Sequence, residues 1–383
     1  MNAGPVAAMQ AGTIVIGGGI VGRCLAWFLA EAGEDVLCLD DGRHAGSTAN
    51  AGSLHVQMQS RFIRLYPDLA PGVERALPMY PLAVRHWERL AGLLDTDIGL
   101  RLTGGLMVAE TAEQLGFLEQ KCRREERLGL SVRMLDRAAL ERLAPYLGPA
   151  VIGAEFCADE GKLNPLLANA AVTARATALG ARIRSATARH LERDGAGFAV
   201  RAGGFVARGR RVVLAAGSRS GALAAMLGGC IPTRPEPLHV NITEATVPLI
   251  AHLVQHADRP ITMKQLGAGQ VVVGGGWPAR LDPTTGHPTV ELSSILGNLA
   301  LARHIVPAVG GLRLLRTWAG VNTSVDGRAV LGELAPGAFV AIPGDAGYTL
   351  GPLCARLVAD TMLGHPPDMP IAEYAPGRFM ASA

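Results

Sequence analysis

The sequence predicts an α/β fold: a Rossmann-type parallel sheet suited to a dinucleotide, with a discontinuous second unit built on an antiparallel sheet. Three observations predict it. A strand, a glycine turn, a helix, a second strand and a terminal acid follow one another over residues 13–40. Two more apolar strands, at 211–214 and 339–342, each run into a glycine turn. Between these pieces lie short alternating strands, two of them joined by a tight glycine-containing hairpin at 266–270.

The opening series carries the strongest chemistry. Thr13-Ile14-Val15-Ile16 is a short apolar run of the kind buried in parallel sheets. It enters Gly17-Gly18-Gly19-Ile20-Val21-Gly22, a G-x-G-x-x-G, and a helical pattern continues from Arg23 to about Ala32. Val36-Leu37-Cys38-Leu39 follows and ends in Asp40, eighteen residues beyond Gly22, with Asp41 beside it. Gly17 permits the turn, Gly19 lets backbone N–H groups approach a pyrophosphate, and Gly22 lets helix and strand close up. The helix start at Ile20 and Val21 adds partial positive charge. Asp40 is placed for ribose hydroxyls, and an acid there disfavours a 2′-phosphate.

The next segment separates a flavin dinucleotide from a nicotinamide one. Residues 41–53 read as a small polar loop with no helix of its own, where a nicotinamide enzyme would continue into another β-α-β unit. Ser47, Thr48, Asn50, Ala51 and Gly52 are candidate contacts for the second phosphate and the flavin ring edge. The strand ending in Ala215-Ala216-Gly217 resembles the one that closes the FAD domain in flavin-dinucleotide enzymes, which implies Ala216 and Gly217 as contacts for the same cofactor. Phe339-Val340-Ala341-Ile342 leads into Gly344, Gly347, Tyr348, Thr349 and Leu350, then a helix to about Leu363 with Pro352 expected in its first turn. N–H groups at that terminus suit the pyrimidine end of a reduced flavin.

Composition excludes several classes. Hydrophobic residues make up 49% and charged residues 18% of the 383, which favours a large interior over disorder. Thirty-six basic residues against 33 acidic leave a net charge of +3, with no footprint for nucleic acid. Lys121, Arg123, Arg124 and Arg127 alternate with acids and read as a solvated helix face. Six cysteines never form a C-x-x-C pair, so no metal or iron–sulfur site is expected. No run of about 18 apolar residues and no signal-peptide pattern is found, so the chain reads as cytoplasmic with no membrane span. The expected division is 1–90, 150–225 and 322–383 for the dinucleotide unit. Residues 91–149 and 226–321 then form the substrate unit. Helices are expected near 81–94, 111–128, 164–179 and 288–304, and antiparallel strands near 101–109, 233–243, 261–266 and 270–276.

With these motifs in hand, the chain resembles the D-amino-acid oxidase-like family of flavoproteins, which includes glycine oxidase, sarcosine oxidase and D-amino-acid dehydrogenase. The shared pieces are the opening motif, Gly46-Ser47-Thr48, Leu106-Met107-Val108-Ala109, Val271-Val272-Val273-Gly274-Gly275, Thr317-Trp318-Ala319-Gly320, and the closing turn. The run Asn50-Ala51-Gly52-Ser53-Leu54-His55-Val56-Gln57 resembles flavin-bearing β subunits of the opine oxidase and D-hydroxyproline dehydrogenase type. The resemblance implies a glutathione-reductase-like FAD domain and oxidation of a C–N bond in an opine, D-amino acid or related amine. It further implies α subunits, with or without γ subunits, that carry electrons onward, and leaves room for FMN at a subunit interface. One departure stands out. Glycine-oxidase-like members place a carboxylate-clamping arginine after W-A-G, and here Asn322 stands at that position.

The pocket candidates are therefore binding residues. His55 follows the flavin loop and reads equally as ring-facing or structural. His239 lies mid-strand on the expected roof, and Lys264 is a candidate for a substrate carboxylate or a surface lysine. Trp318 and Asn322 belong to a strand expected beside the flavin. Tyr348 either covers the site or packs. Three functions stay open: a catalytic β subunit passing electrons to a partner, a self-sufficient oxidase forming hydrogen peroxide, and a non-catalytic flavin-bound assembly subunit.

Overall fold

The computed structural model describes residues 7–42 and 46–379. Its core element is β1 (Ala7–Ile16), α1 (Ile20–Glu31) and β2 (Val36–Asp40). Every residue of α1 is buried except Arg23 and Glu31. Such a helix cannot lie on a surface. It is covered by the sheet on one side and by the helices Pro165–Ala178 and Gly347–Leu363 on the other.

The first sheet runs Val330–Ala335, Ala338–Ile342, Phe205–Leu214, β1, β2, Arg182–Ser185. All neighbours pair in parallel except the first two. Ala188–Asp194 and Gly197–Ala202 add an antiparallel flap on Phe205–Leu214. Apolar residues from both faces of this sheet build two separate cores, one under the helices and one under the flap.

The second sheet also has eight strands, in the order Leu314–Ser324, Arg234–Ala245, Gln270–Gly274, Thr262–Gln265, Leu253–His256, Gly105–Ala109, Gly153–Cys157, Val132–Asp136. It is not wholly antiparallel as expected: Leu253–His256 pairs in parallel with Gly105–Ala109. A parallel pair needs a long crossover, and the connection from 110 to 252 supplies it. Gly153–Cys157 falls in this sheet, although residues 150–225 were expected wholly on the dinucleotide side.

Two further expectations change. The loop predicted at 41–53 holds a short helix, Gly46–Ala49, that packs on the strand Leu314–Ser324. Residues 43–45 of that loop lie outside the described residues. Pro352 is not in the first turn, because the last long helix already begins at Gly347. A proline there cannot donate to the carbonyl of Tyr348 four residues earlier. The indole Nε1 of Trp87 takes that acceptor instead, at 3.0 Å, and the Trp87 and Tyr348 rings stack at 5.5 Å. Both side chains are buried.

This substitution of partners is testable by urea unfolding. Trp87→Phe leaves a buried carbonyl unpaired and is expected to cost about 1–3 kcal/mol. In a Pro352→Ala background, which restores a backbone donor, the same change is expected to cost clearly less. Equal losses in both backgrounds would show that the indole bond is not what replaces the missing N–H.

Candidate functional site

The C-terminal ends of the parallel strands open onto one cleft of about 1840 Å³. Ile16, Asp40, Ala215 and Ile342, each at or just past a strand end, all line it, as an open α/β sheet favours. The opposite wall comes from the second sheet and the segment 53–62. Single-ligand pockets are usually about 300–1,000 Å³, so this cleft has room for a dinucleotide and a substrate together.

At the glycine turn the fit is steric. Gly17 has φ +111°, and a Cβ there would overlap the Ala215 carbonyl. A Cβ on Gly22 would overlap the Gly17 carbonyl oxygen. On Gly19 it would come within 2.9 Å of Ser47 Oγ, at the mouth of α1. Ser47 Oγ accepts the N–H of Ile20 at 2.8 Å, so the short helix 46–49 sits across the start of α1. Gly17, Gly19, Ile20, Val21, Asp40, Asp41, Ser47, Asn50 and Ala51 line the cleft. Ala216, Gly217, Gly344, Gly347, Tyr348 and Thr349 line it further along. Four expected contacts do not. Gly22 is packed inside the turn, Thr48 and Gly52 face elsewhere, and Leu350 is buried in the core.

Asp40 is already engaged. Its Oδ2 pairs with Arg23 Nη2 at 3.0 Å and its Oδ1 accepts the Gly42 N–H at 3.0 Å. Arg23, unremarked in the sequence, also donates to Thr173 Oγ1 at 2.6 Å. A charged residue in the first turn of a helix that is otherwise apolar up to its last residue, Glu31, was the signal for it. Asp41 is held by Arg219 at 2.9 Å.

At the other end the candidate residues divide. His55 lines the cleft, its backbone N–H donates to Thr349 Oγ1 at 3.0 Å, and its Nδ1 has no partner among the described residues. Burial, then the nearby Lys264, push its pKa down to about 3 against a Gln255 hydrogen bond, so the ring is neutral. His239 also lines the cleft. Its Nε2 lies 3.0 Å from Asn241 Nδ2, which donates also to Asn298 Oδ1, leaving Nδ1 as the protonated and unpartnered nitrogen. Burial lowers its pKa too. Asn322 lines the cleft and donates to Glu236 Oε2 at 3.2 Å.

Three candidates are placed differently. Lys264 is fully buried, does not line the cleft, and donates to Ser53 Oγ at 2.7 Å. Burial and Lys162 hold its pKa well below the usual ammonium value, and its place outside the cleft keeps it from a substrate carboxylate. Trp318 Nε1 donates to the Ala49 carbonyl at 2.8 Å and ties the short helix to the second sheet. Tyr348 turns its ring into the core, where its hydroxyl donates to Pro165 O at 3.2 Å.

Lys121 overturns a further expectation. It is buried rather than solvated, with Nζ at 2.6 Å from Glu155 and 3.0 Å from Glu125. Behind the cleft wall these groups join Glu160, whose oxygens accept from Val56 N, Gln57 N, Gln57 Nε2 and Gln255 Nε2 at 2.9–3.2 Å. Glu125 accepts the Met58 N–H at 2.5 Å. Buried acceptors from the second sheet's side thus hold the backbone of 56–58. Burial pushes the Glu160 carboxyl up to about 7, against the pull of those donors.

Comparison with known proteins agrees with this arrangement. Residues 13–361 match the family described as FAD dependent oxidoreductase. The chain belongs to that family. Members related to it include a protein named as one of the subunits of opine oxidase, from Rhizobium meliloti, 28% identical over 96% of this chain and 97% of the relative. Another is a glycine oxidase from Bacillus licheniformis, 26% identical over 92% and 93%. The crystal structure of glycine oxidase from Geobacillus kaustophilus shares the fold, with a TM-score of 0.83, 22% identity, and coverage of 96% and 98%. FAD is the cofactor of the family, and the cradle fits it. The turn is open only where no Cβ stands, and the cleft continues to the turn at 344–349. Among the described residues no cluster of His, Cys, Asp or Glu could hold a metal, and no helix is long and apolar enough to cross a membrane.

Two measurements check this site. Gly22→Ala is expected to purify without flavin absorbance and to resist reconstitution with FAD. Gly116→Ala, where a Cβ meets nothing within 4 Å, is expected to keep its flavin. The Glu160 carboxyl, raised above its unfolded value, adds stability that is complete at low pH and lost as pH climbs through about 7. Wild type's advantage over Glu160→Gln in urea unfolding is therefore expected to shrink from about pH 5 to about pH 8. A gap that widens instead would contradict the assignment.

Proposed function

We propose that this FAD-dependent oxidoreductase oxidises a C–N bond of an amino-acid-derived amine, with an opine such as octopine or nopaline as the preferred class. It acts as the catalytic subunit of a hetero-oligomer. The observation that carries the reading is the single cleft joining the glycine turn, the turn at 344–349 and a roof with two neutral histidines. Full-length similarity to a protein named as a subunit of opine oxidase supports the substrate class and the partner chains.

The chemistry asks little proton transfer of the protein. The carbon beside nitrogen gives up a hydrogen with its bonding pair, the nitrogen lone pair closes the C=N bond, and water then splits the imine. FAD, held between the glycine turn and the turn at 344–349, would supply the acceptor for that hydride and its two electrons. The amine must arrive neutral, and His55 and His239, held neutral by burial, place no cation against it. His239 Nδ1–H is a buried donor with nothing yet to bond, suited to a substrate oxygen or a water. Asn322 offers an amide where a clamp would need a charged fork, so a small amino acid gripped there by its carboxylate is disfavoured.

The full-length similarity to glycine oxidases favours a second reading, in which the chain alone reduces oxygen. Anaerobic mixing with opines, D-amino acids and N-methyl amino acids separates the readings. Octopine or nopaline is expected to bleach the flavin at least about tenfold faster than D-alanine or sarcosine. The purified chain in air is expected to form no stoichiometric peroxide. Bleaching by D-alanine alone would remove the opine assignment, and brisk peroxide formation would establish the oxidase instead. No bleaching by any amine would leave a non-catalytic assembly role.

A further inference from the structure

Among the described residues five arginines line the cleft, and no lysine does. Arg219 is paired with Asp41 at the adenosine end, and Arg189 lies beside Thr187, which donates to the same acid. Arg234 opens the strand that carries Glu236, opposite Ser324. The remaining two, Arg61 and Arg259, come from different elements that meet at one junction. Ser60 Oγ donates to the Ala257 carbonyl at 2.7 Å, and Arg64 pairs with Asp258 at 3.8 Å. The helix Ser60–Leu65 is thereby tied to the segment that ends in Arg259. Gln59 Nε2 donates to Gln255 Oε1 at 2.8 Å on the same side, and Gln255 is also the hydrogen-bond neighbour of His55. The junction thus adjoins the part of the cleft where His55 sits.

The two guanidinium groups differ in what occupies them. Arg61 is exposed to the cleft and has no ion pair or hydrogen bond among the described residues. Arg259 is anchored along one edge: its Nη2 pairs with Glu110, which also holds His256 and His304, and its Nε donates to His256 Nε2 at 3.4 Å. Its Nη1 makes no bond among the described residues. One fork is free, and the other is steadied on its Nε–Nη2 edge with Nη1 left over. At position 322 the situation is reversed, because the amide of Asn322 is bonded to the carboxylate of Glu236. A substrate carboxylate brought to position 322 would meet that like charge.

We propose that Arg61 and Arg259 form the carboxylate-recognition site of this enzyme, and that they select a secondary amine bearing a carboxylate on each of its two arms. Arg61 takes one carboxylate through its free fork, and Arg259 takes the other through Nη1, the nitrogen that Glu110 and His256 leave open. The site draws on helix 60–65 and the segment that ends in Arg259 rather than on position 322, so the substrate is gripped from the side of that helix. The proposal deepens the amine-oxidising reading and rests on it for the nitrogen between the two acids.

The test uses the FAD-loaded enzyme and a probe that cannot be oxidised. Thiodiacetate carries two carboxylates about a sulfur, and (ethylthio)acetate carries one. Binding of each is followed by the change in flavin absorbance. Wild type is expected to bind the diacid at least about tenfold more tightly than the monoacid. Arg61→Gln is expected to remove that preference with flavin content unchanged, Arg61→Lys to restore part of it, and Arg259→Gln to act like Arg61→Gln. Equal affinities in wild type, or an Arg61→Gln enzyme that keeps its preference, would overturn the proposal. The two readings fail separately. An Arg61-dependent diacid preference without bleaching by any amine keeps the carboxylate site and loses the reaction. Bleaching by amines without that preference does the opposite.

Discussion

The contact on which the rest of the molecule depends is the approach of α1 to the end of β1. It has no tolerance. A methyl group on Gly22 would occupy the place of the Gly17 carbonyl oxygen, and one on Gly17 would occupy that of Ala215. Because the helix comes this close, ten of its twelve residues can be buried between the sheet and two other helices. Its N-terminus is then aimed at the cleft by packing. The partial charge there is a consequence of position, and it is the position that sterics determine. Arg23, one of the two α1 residues not buried, turns its charge toward Asp40 and Thr173, which satisfies groups that would otherwise stand bare beside the cradle.

A second joint ties the cofactor side to the substrate side. The segment from Ser53 to Met58 is barely a strand, pairing only over Ser53–Leu54 with Gly161–Lys162. Its further N–H groups are accepted by Thr349, Glu160 and Glu125, from three different parts of the chain. Burying three carboxylates around one ammonium is costly, and donors on every side must offset it. The raised pKa values of Glu125 and Glu160 register that cost. In return the residues on the cleft side, His55 among them, are held to the second sheet and to the last long helix at once. Removing one acceptor would leave several donors unpaired together, so this joint behaves as a unit.

What the sequence revealed was short in range. The glycine turn, the apolar strands and the helix starts at Asn164 and Thr111 each depend on residues within a few positions of one another, and each is where pattern places it. What it concealed was long in range. Lys121 and Glu125 look like a solvated i,i+4 pair, and only the arrival of Glu155 and Gln57 from other elements shows that the pair is buried. Lys264 carries no local sign that its partner is Ser53, and Tyr348 none that Trp87 lies beneath it. The parallel strand Leu253–His256 is hidden because four residues bounded by polar segments give no alternation long enough to recognise. Asn322 is legible as a departure, but the residue that gives it meaning, Glu236, lies on the neighbouring strand.

That pairing explains why the change at position 322 cannot be considered alone. Asn322 and Glu236 face each other in register, and the turn after the first-sheet strand Ala338–Ile342 brings the cleft-lining Asp345, whose carboxyl is pushed up to about 7 by burial and by Glu236 and Asp326. An arginine at 322 would meet Glu236 first. Its charge would be spent within the wall, with little left for a ligand. The loss of the clamp is therefore a property of two strands and not of one residue. A carboxylate bound at position 322 would face the Glu236 carboxylate that Asn322 already holds. Arg61 and the Nη1 of Arg259 keep donors free along another part of the cleft lining, so a carboxylate can be held there without calling on position 322.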